Sequence, residues 1–375
     1  GESRVLSLPA GDYTRTVKGT AGATGAYAFR LFDLGAAEEI AYGDEVTARL
    51  DPATETRLYR FTAEAGDLVS LPRVTNDPYG RLVDPFGEVL YRGALRGVES
   101  VRLEAAGTHY VMVEGFVFSA PAPPVDQVFR LERPGQEPPA APSGTALAPG
   151  ETVEGTLASS DSRADYLLSL TAPTRVYLDA LAASDSSVRW TMTGPRGTEV
   201  AERALVNTDA TDFSPNPVLD LPAGDYQISV TSTSASAESY GLRVLDIGAG
   251  TPAALGDRIA ATLDPARGTD IYLIEAQAGD RLGLRDPEEN AFWGPYVRII
   301  DPYGRQVTAR QALGGTWQAD LPIAGTYALL VEGRIYENAD AATTYAFTPE
   351  RLRETTGVLT PGETVRGTPE SVYGR

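Results

Sequence analysis

The chain of 375 residues contains no cysteine, one histidine and one lysine. Without cysteine there is no thiol nucleophile, no disulfide staple and no thiolate zinc site. With His109 alone, a two-histidine metal site cannot be assembled within one chain, and a Ser-His-Asp triad would need that single ring. His109 reads as an extra residue between the Gly107-Thr108 turn and Tyr110, and it has no equivalent in related stretches. No Gly-x-Ser-x-Gly elbow is present either, so catalysis is not expected. No run is apolar enough to cross a membrane, and no stretch has a convincing helical period; Thr54–Leu58 and Asp286–Asn290 are single turns at most.

Positive charge is also scarce. Basic residues number 32 against 51 acidic ones, and the net charge of −19 is spread along the chain. Nucleic acid, which needs a basic face, is therefore not an expected partner. The acid excess reads first as solubility and self-repulsion, and second as a capacity for divalent cations.

What the chain has in abundance is repetition. Leu8-Pro9-Ala10-Gly11-Asp12-Tyr13 returns as Leu221-Pro222-Ala223-Gly224-Asp225-Tyr226, and looser copies occur at Ala106–Tyr110 and Ala324–Tyr327. Successive tyrosines lie 97 to 116 residues apart, a domain-sized period and not a solenoid one. Alternate copies match best: Gly43-Asp44 and Leu50-Asp51-Pro52 recur after 213 residues as Gly256-Asp257 and Leu263-Asp264-Pro265. Residues 1–34 therefore read as the end of a B-type repeat, 35–133 as an A-type repeat and 134–247 as B. Residues 248–352 read as a second A, and 353–375 as the opening of a further B. Both ends fall inside a repeat, so the sequence is expected to be part of a much longer polypeptide.

Within each repeat, short alternating runs such as Glu45–Leu50 are punctuated by turns. Asp84-Pro85-Phe86-Gly87 and Asp301-Pro302-Tyr303-Gly304 place proline second and glycine fourth, which suits a type I turn between strands. Seven or eight such strands per repeat predict an all-β chain of tandem antiparallel β-sandwiches, jelly-roll-like, in an elongated array. The recurring tyrosine is expected to bury its ring and bond its hydroxyl to backbone. The proline-rich stretch Arg133–Pro142 reads as a semi-rigid spacer. Leu245–Gly250 runs almost directly into the next strand, so the B-to-A joint is expected to be the stiff one.

Candidate ligand positions lie in loops. Asp77 in the first A and Glu288 with Glu289 in the second are placed in the long connection before the Asp-Pro turn, and Asp340 between the last two strands. Calcium takes six to eight oxygens, whereas each loop supplies two or three carboxylates or amides without an EF-hand spacing. Solvated turns are the plain reading and calcium the alternative. Trp293 and Tyr296, in Phe292-Trp293-Gly294-Pro295-Tyr296, are candidates for protein or glycan contact, or else for packing against a neighbouring repeat.

The signatures Leu8–Tyr13, Thr24–Leu31, Thr47–Pro52, Tyr59–Asp67, the Asp-Pro-aromatic-Gly turns and the Val-Glu-Gly endings resemble the bacterial pre-peptidase C-terminal domain family. The resemblance runs repeat by repeat over the whole chain. It implies β-sandwiches without catalysis, strung in tandem in large exported proteins, at the cell surface or secreted. Some members bind calcium and collagenase relatives bind collagen, but no calcium-ligand motif of the family matches here residue by residue. The expected role is a structural stalk, fibre or adhesin spacer, with neighbouring repeats or other copies of the chain as partners. The alternative is an array binding glycan or matrix protein, attached to a secreted hydrolase.

Overall fold

The computed structural model describes residues 5–6, 8, 11–20, 23–72, 75, 78–115, 123–183, 185–209, 215–289, 294–308, 310–314, 317–335 and 342–352. Among them the chain is built of strands joined by turns and single 3-10 turns, an all-β set of separate sandwiches as expected. The break between two compact units falls between Ala141 and Pro142.

The first A sandwich contains β1 (Glu38–Glu39), β2 (Glu45–Leu50), β3 (Thr56–Ala63), β4 (Asp67–Ser70) and β5 (Tyr79–Val83). It continues with β6 (Val89–Ala94), β7 (Val101–Arg102), β8 (Gly107–Glu114), β9 (Val125–Arg130) and β10 (Glu132–Gln136). Sheet order is β1-β3-β8-β5-β6 on one side, faced by β10-β4-β7 and the pair β2-β9. In β2 the apolar alternation does its work directly: Val46, Ala48 and Leu50 turn inward while Glu45, Thr47 and Arg49 stay in water. Tyr59, Phe61, Leu82, Val111 and Phe129 fill the core.

The second unit holds two sandwiches. B comprises β11 (Thr145–Ala146), β12 (Thr152–Leu157), β13 (Arg163–Leu170), β14 (Thr174–Ala183) and β15 (Val188–Gly194). It closes with β16 (Gly197–Ala204), β17 (Val218–Leu221), β18 (Gly224–Ser232) and β19 (Glu238–Asp246). Its sheets run β11-β13-β18-β15-β16 and β12-β19-β14-β17, around Trp190, Leu168, Tyr226 and Leu242. The second A comprises β20 (Thr251–Pro252), β21 (Ile259–Leu263), β22 (Thr269–Ala276), β23 (Asp280–Glu289) and β24 (Tyr296–Ile300). After them come β25 (Gln311–Ala312), β26 (Gln318–Leu321), β27 (Gly325–Glu332) and β28 (Thr343–Leu352), ordered β20-β22-β27-β24-β25 and β21-β28-β23-β26 around Trp317 and Phe347.

The turn chemistry is as the residues dictate. Gly304 N donates to Asp301 O at 2.9 Å, and the Asp301 carboxylate accepts from Tyr303 N and Arg305 N at 2.8 and 2.9 Å. Asp84 and Gly87 repeat the arrangement, each glycine at positive φ where a side chain would be strained. The tyrosines behave as expected in two repeats: Tyr226 OH donates to Pro222 O at 2.7 Å and Tyr327 OH to Ile323 O at 2.8 Å.

Three expectations need correction. His109 is not an extra residue. It faces Phe61 across the β3–β8 ladder as Tyr327 faces Ile274 across β22–β27, so it takes the core tyrosine's place and Tyr110 points to the other face. Its shorter ring cannot make the tyrosine's distal bond: Nε2 is buried without a partner, while Nδ1 lies 3.2 Å from Gly107 O. The proline-rich spacer is shorter than expected, because its start is strand β10, paired to β4 with Gln136 opposite Asp67. Asp286–Asn290 is no separate turn up to Glu289: β23 continues through Glu289, with a bulge between Arg285 and Glu288 where Asp286 has φ +47°.

Candidate functional site

The charged groups least expected from composition lie within the second unit, where B meets the second A. An apolar cluster of Tyr177, Val218 and Ile247 from B with Ile271, Ile300, Ala328 and Leu330 from A forms the contact. Strand alternation explains it. In β27, Tyr327, Leu329 and Val331 face A's own core, leaving Ala328 and Leu330 on the opposite face, and that face is buried only because B covers it. Ile335, beyond β27, joins the core of B itself.

Two acid–base clusters are set into this contact. Glu332 accepts from Arg298 Nε at 3.0 and 3.2 Å and from Tyr177 OH at 2.9 Å, and both charged side chains are completely buried. Arg298 Nη1 also donates to Gln306 Oε1 at 2.7 Å and to Pro215 O of B at 3.1 Å. Nearby, Asp179 of B accepts from Arg243 Nε at 2.7 Å, and from Thr269 N and Thr269 Oγ1 of A at 3.1 and 2.8 Å. Arg243 donates in turn to Thr269 O at 2.9 Å. At the rim Asn216 Nδ2 donates to Gly304 O at 2.6 Å and Arg175 Nη1 to Pro302 O at 3.2 Å.

Burial pushes the Glu332 and Asp179 carboxyls upward, because desolvation of the anion outweighs the pull of Arg298 and Arg243. It raises Tyr177 well above an ordinary phenol, with Glu332, Asp209 and Asp179 adding to the effect. Such a network is costly to break: removing one partner of a buried pair strands the other charge, at about 3–5 kcal/mol. With Arg298 and Glu332 fully buried and mutually bonded, the arrangement joins two domains and offers no surface to a solute.

The residues singled out in the sequence are not assembled here. Glu288 is exposed at the end of β23 and pairs with Arg258 at 2.8 Å, lining a shallow cleft of about 500 Å³ with Thr262 and Tyr345. Glu289 closes the same strand. Tyr296 begins β24 with the Arg334 guanidinium 5.1 Å above its ring, a cation–π contact within A. Asp77, Asp340 and Trp293 lie outside the described residues. Among the described residues no three His, Asp or Glu side chains gather as a metal-binding group.

Sequence reading passed over Tyr177, Asp179, Thr269, Arg298 and Glu332. A signal was available, since a charged residue recurs inside apolar strands: Arg81 and Arg298 in the Asp-Pro hairpins, Glu114 and Glu332 in the Val-Glu-Gly endings.

No protein-family model matches the chain, and no curated protein does. Solved structures with local likeness include a periplasmic inhibitor of g-type lysozyme, PliG of Aeromonas hydrophila. It is 13% identical, aligned over 28% of this chain and 100% of its own, with a TM-score of 0.22. Lac15 from a marine microbial metagenome is 9% identical over 86% of this chain and 89% of its own, with a TM-score of 0.17. Neither score supports an argument about fold or function.

Proposed function

We propose that this chain is a non-enzymatic structural segment of a large bacterial exported protein, a stalk or spacer whose product is rigid length at the cell surface. The observation that carries the reading is the B-to-A joint. A tether between independent beads needs no interdomain core, whereas here two sandwiches share an apolar cluster and a buried ion-pair network. Buried charge favours one pose over slipped alternatives, because any slip leaves Glu332 or Arg298 desolvated and unpaired. A stalk under tension gains from that property; a recognition module does not require it.

Pulling on the full chain tests the reading. B and the second A are expected to yield in a single event, with no soft extension of the joint beforehand. Separate, low-force parting of the two sandwiches would overturn it. So would tight binding to a glycan or matrix-protein array that disappears on Trp293→Ala.

A further inference from the structure

The first A sandwich carries the same docking face as the second. Ladder register makes the correspondence explicit: Thr56 and Tyr79 stand opposite Glu114, as Thr269 and Tyr296 stand opposite Glu332. Arg81 faces Met112 as Arg298 faces Leu330, and Val83 faces Tyr110 as Ile300 faces Ala328. Arg81 Nε lies 3.2 Å from Glu114, with side chains 6% and 14% exposed, so the ion pair is present on a face of the same design.

Residues 5–34 identify what fits that face. They carry the sequence pattern of Val218–Ile247: Leu8 corresponds to Leu221, Tyr13 to Tyr226, Tyr27 to Tyr240, Arg30 to Arg243 and Asp33 to Asp246. They also touch the first A at the places where B touches the second. Val5 lies against Gly87 as Asp220 and Arg175 lie against Gly304. Arg30 donates to Glu55 at 2.8 Å, beside Thr56, as Arg243 donates to Thr269. Asp33 caps Gly35 N at 2.9 Å as Asp246 caps Gly248 N at 2.8 Å. Between these anchors the residues are bare: Tyr27, Phe29 and Leu31 are 68%, 61% and 70% exposed, while Tyr240, Leu242 and Val244 are 4%, 0% and 0%. Three large apolar side chains in water within one short segment mark a surface made to be covered.

We infer that the face of the first A around Arg81 and Glu114 is the seat of a complete B-type β-sandwich, of which residues 5–34 supply the closing strands. The partner is polypeptide of the kind found at Pro142–Pro217, which packs on Tyr27, Phe29 and Leu31 and presents its tyrosine equivalent to Tyr177 to Glu114. The inference deepens the stalk reading by making the sealed joint a repeating one, and it can fail alone, since the pulling measurement concerns the second unit.

The test is the full chain with a second copy of residues 142–217 joined directly before Val5. Hydrogen exchange at Ala26–Leu31 is expected to slow by about 100-fold or more as those strands join a sandwich. Tyr177→Phe in the added copy, which alters no residue of the first A, is expected to speed exchange at Met112–Glu114 by roughly tenfold, the loss of one buried hydrogen bond. Unchanged exchange at Ala26–Leu31 would overturn the inference. So would an added sandwich that folds but leaves exchange at Met112–Glu114 indifferent to Tyr177→Phe.

Discussion

The two A sandwiches share their strand order on the main sheet and their hairpin turns, yet they differ where each meets something else. In the second, Glu332 and Arg298 are shut away beneath B, and one unbroken strand, β28, knits the opposing sheet into four strands. In the first, the equivalent pair keeps some contact with water, and the opposing layer is divided into β2-β9 and β10-β4-β7. The core position held by Tyr327 in one is held by His109 in the other. A repeat can thus preserve its ladder while varying the polar groups set into it, because backbone pairing depends little on side chains and buried polar groups depend on every neighbour.

The sharpest way to break this comparison is to delete one acid. Glu332→Ala is expected to cost the second unit about 3–5 kcal/mol in denaturant unfolding, since Arg298 is left charged and buried. Glu114→Ala should cost the first A clearly less, as solvent reaches its pair.

Exchanging the core residue tests the next difference. Tyr327→His should destabilise the second unit by about 1–3 kcal/mol, through loss of the bond to Ile323 O and burial of an unpaired ring nitrogen. His109→Tyr should raise the thermal midpoint of the first A. No rise would mean that the first core has closed around the smaller ring.

Acidity should then separate the contributions of His109 and Glu332 by sign. Burial lowers the His109 pKa from its ordinary 6.5, so the unfolded chain takes up this proton more readily than the folded one. The first A should therefore lose stability as pH falls through about 6.5 and toward the depressed folded value, and it should do so less in His109→Tyr. Melting both proteins between pH 7.5 and 5.5 reads this directly.

Glu332 works the other way. Its carboxyl is raised by burial, so the folded state holds the proton more tightly, and its contribution is greatest below the ordinary glutamate range and shrinks as pH rises through the folded value. The stability gap between the native chain and Glu332→Gln is expected to narrow, by the smallest of these effects, as pH rises from about 4 to 7. A gap that widened would show that attraction to Arg298 outweighs desolvation.

Much of this fold was legible in the residues, and for local reasons. The Asp84 and Asp301 turns, the alternation in β2, and the bond from Tyr226 back to Pro222 involve partners no more than four residues apart, so adjacency in sequence is adjacency in space. His109 was misread because in sequence it stands between the Gly-Thr turn and a tyrosine, and only the ladder tells that the histidine, not Tyr110, is the ring facing the core. The start of the proline-rich stretch was misread because strand β10 owes its existence to β4, more than sixty residues earlier.

By itself, then, the sequence determined the repeating all-β character of this protein, its hairpins and the seats of Tyr226 and Tyr327, since turn propensity and period-two burial act over a few residues. Tertiary structure alone decided the joint. Tyr177 and Glu332 are 155 residues apart and Asp179 and Thr269 are 90 apart. Each looks like an ordinary polar residue in its own strand and becomes a buried partner only when a second sandwich takes the water away, which also raises the pKa of Tyr177, Asp179 and Glu332.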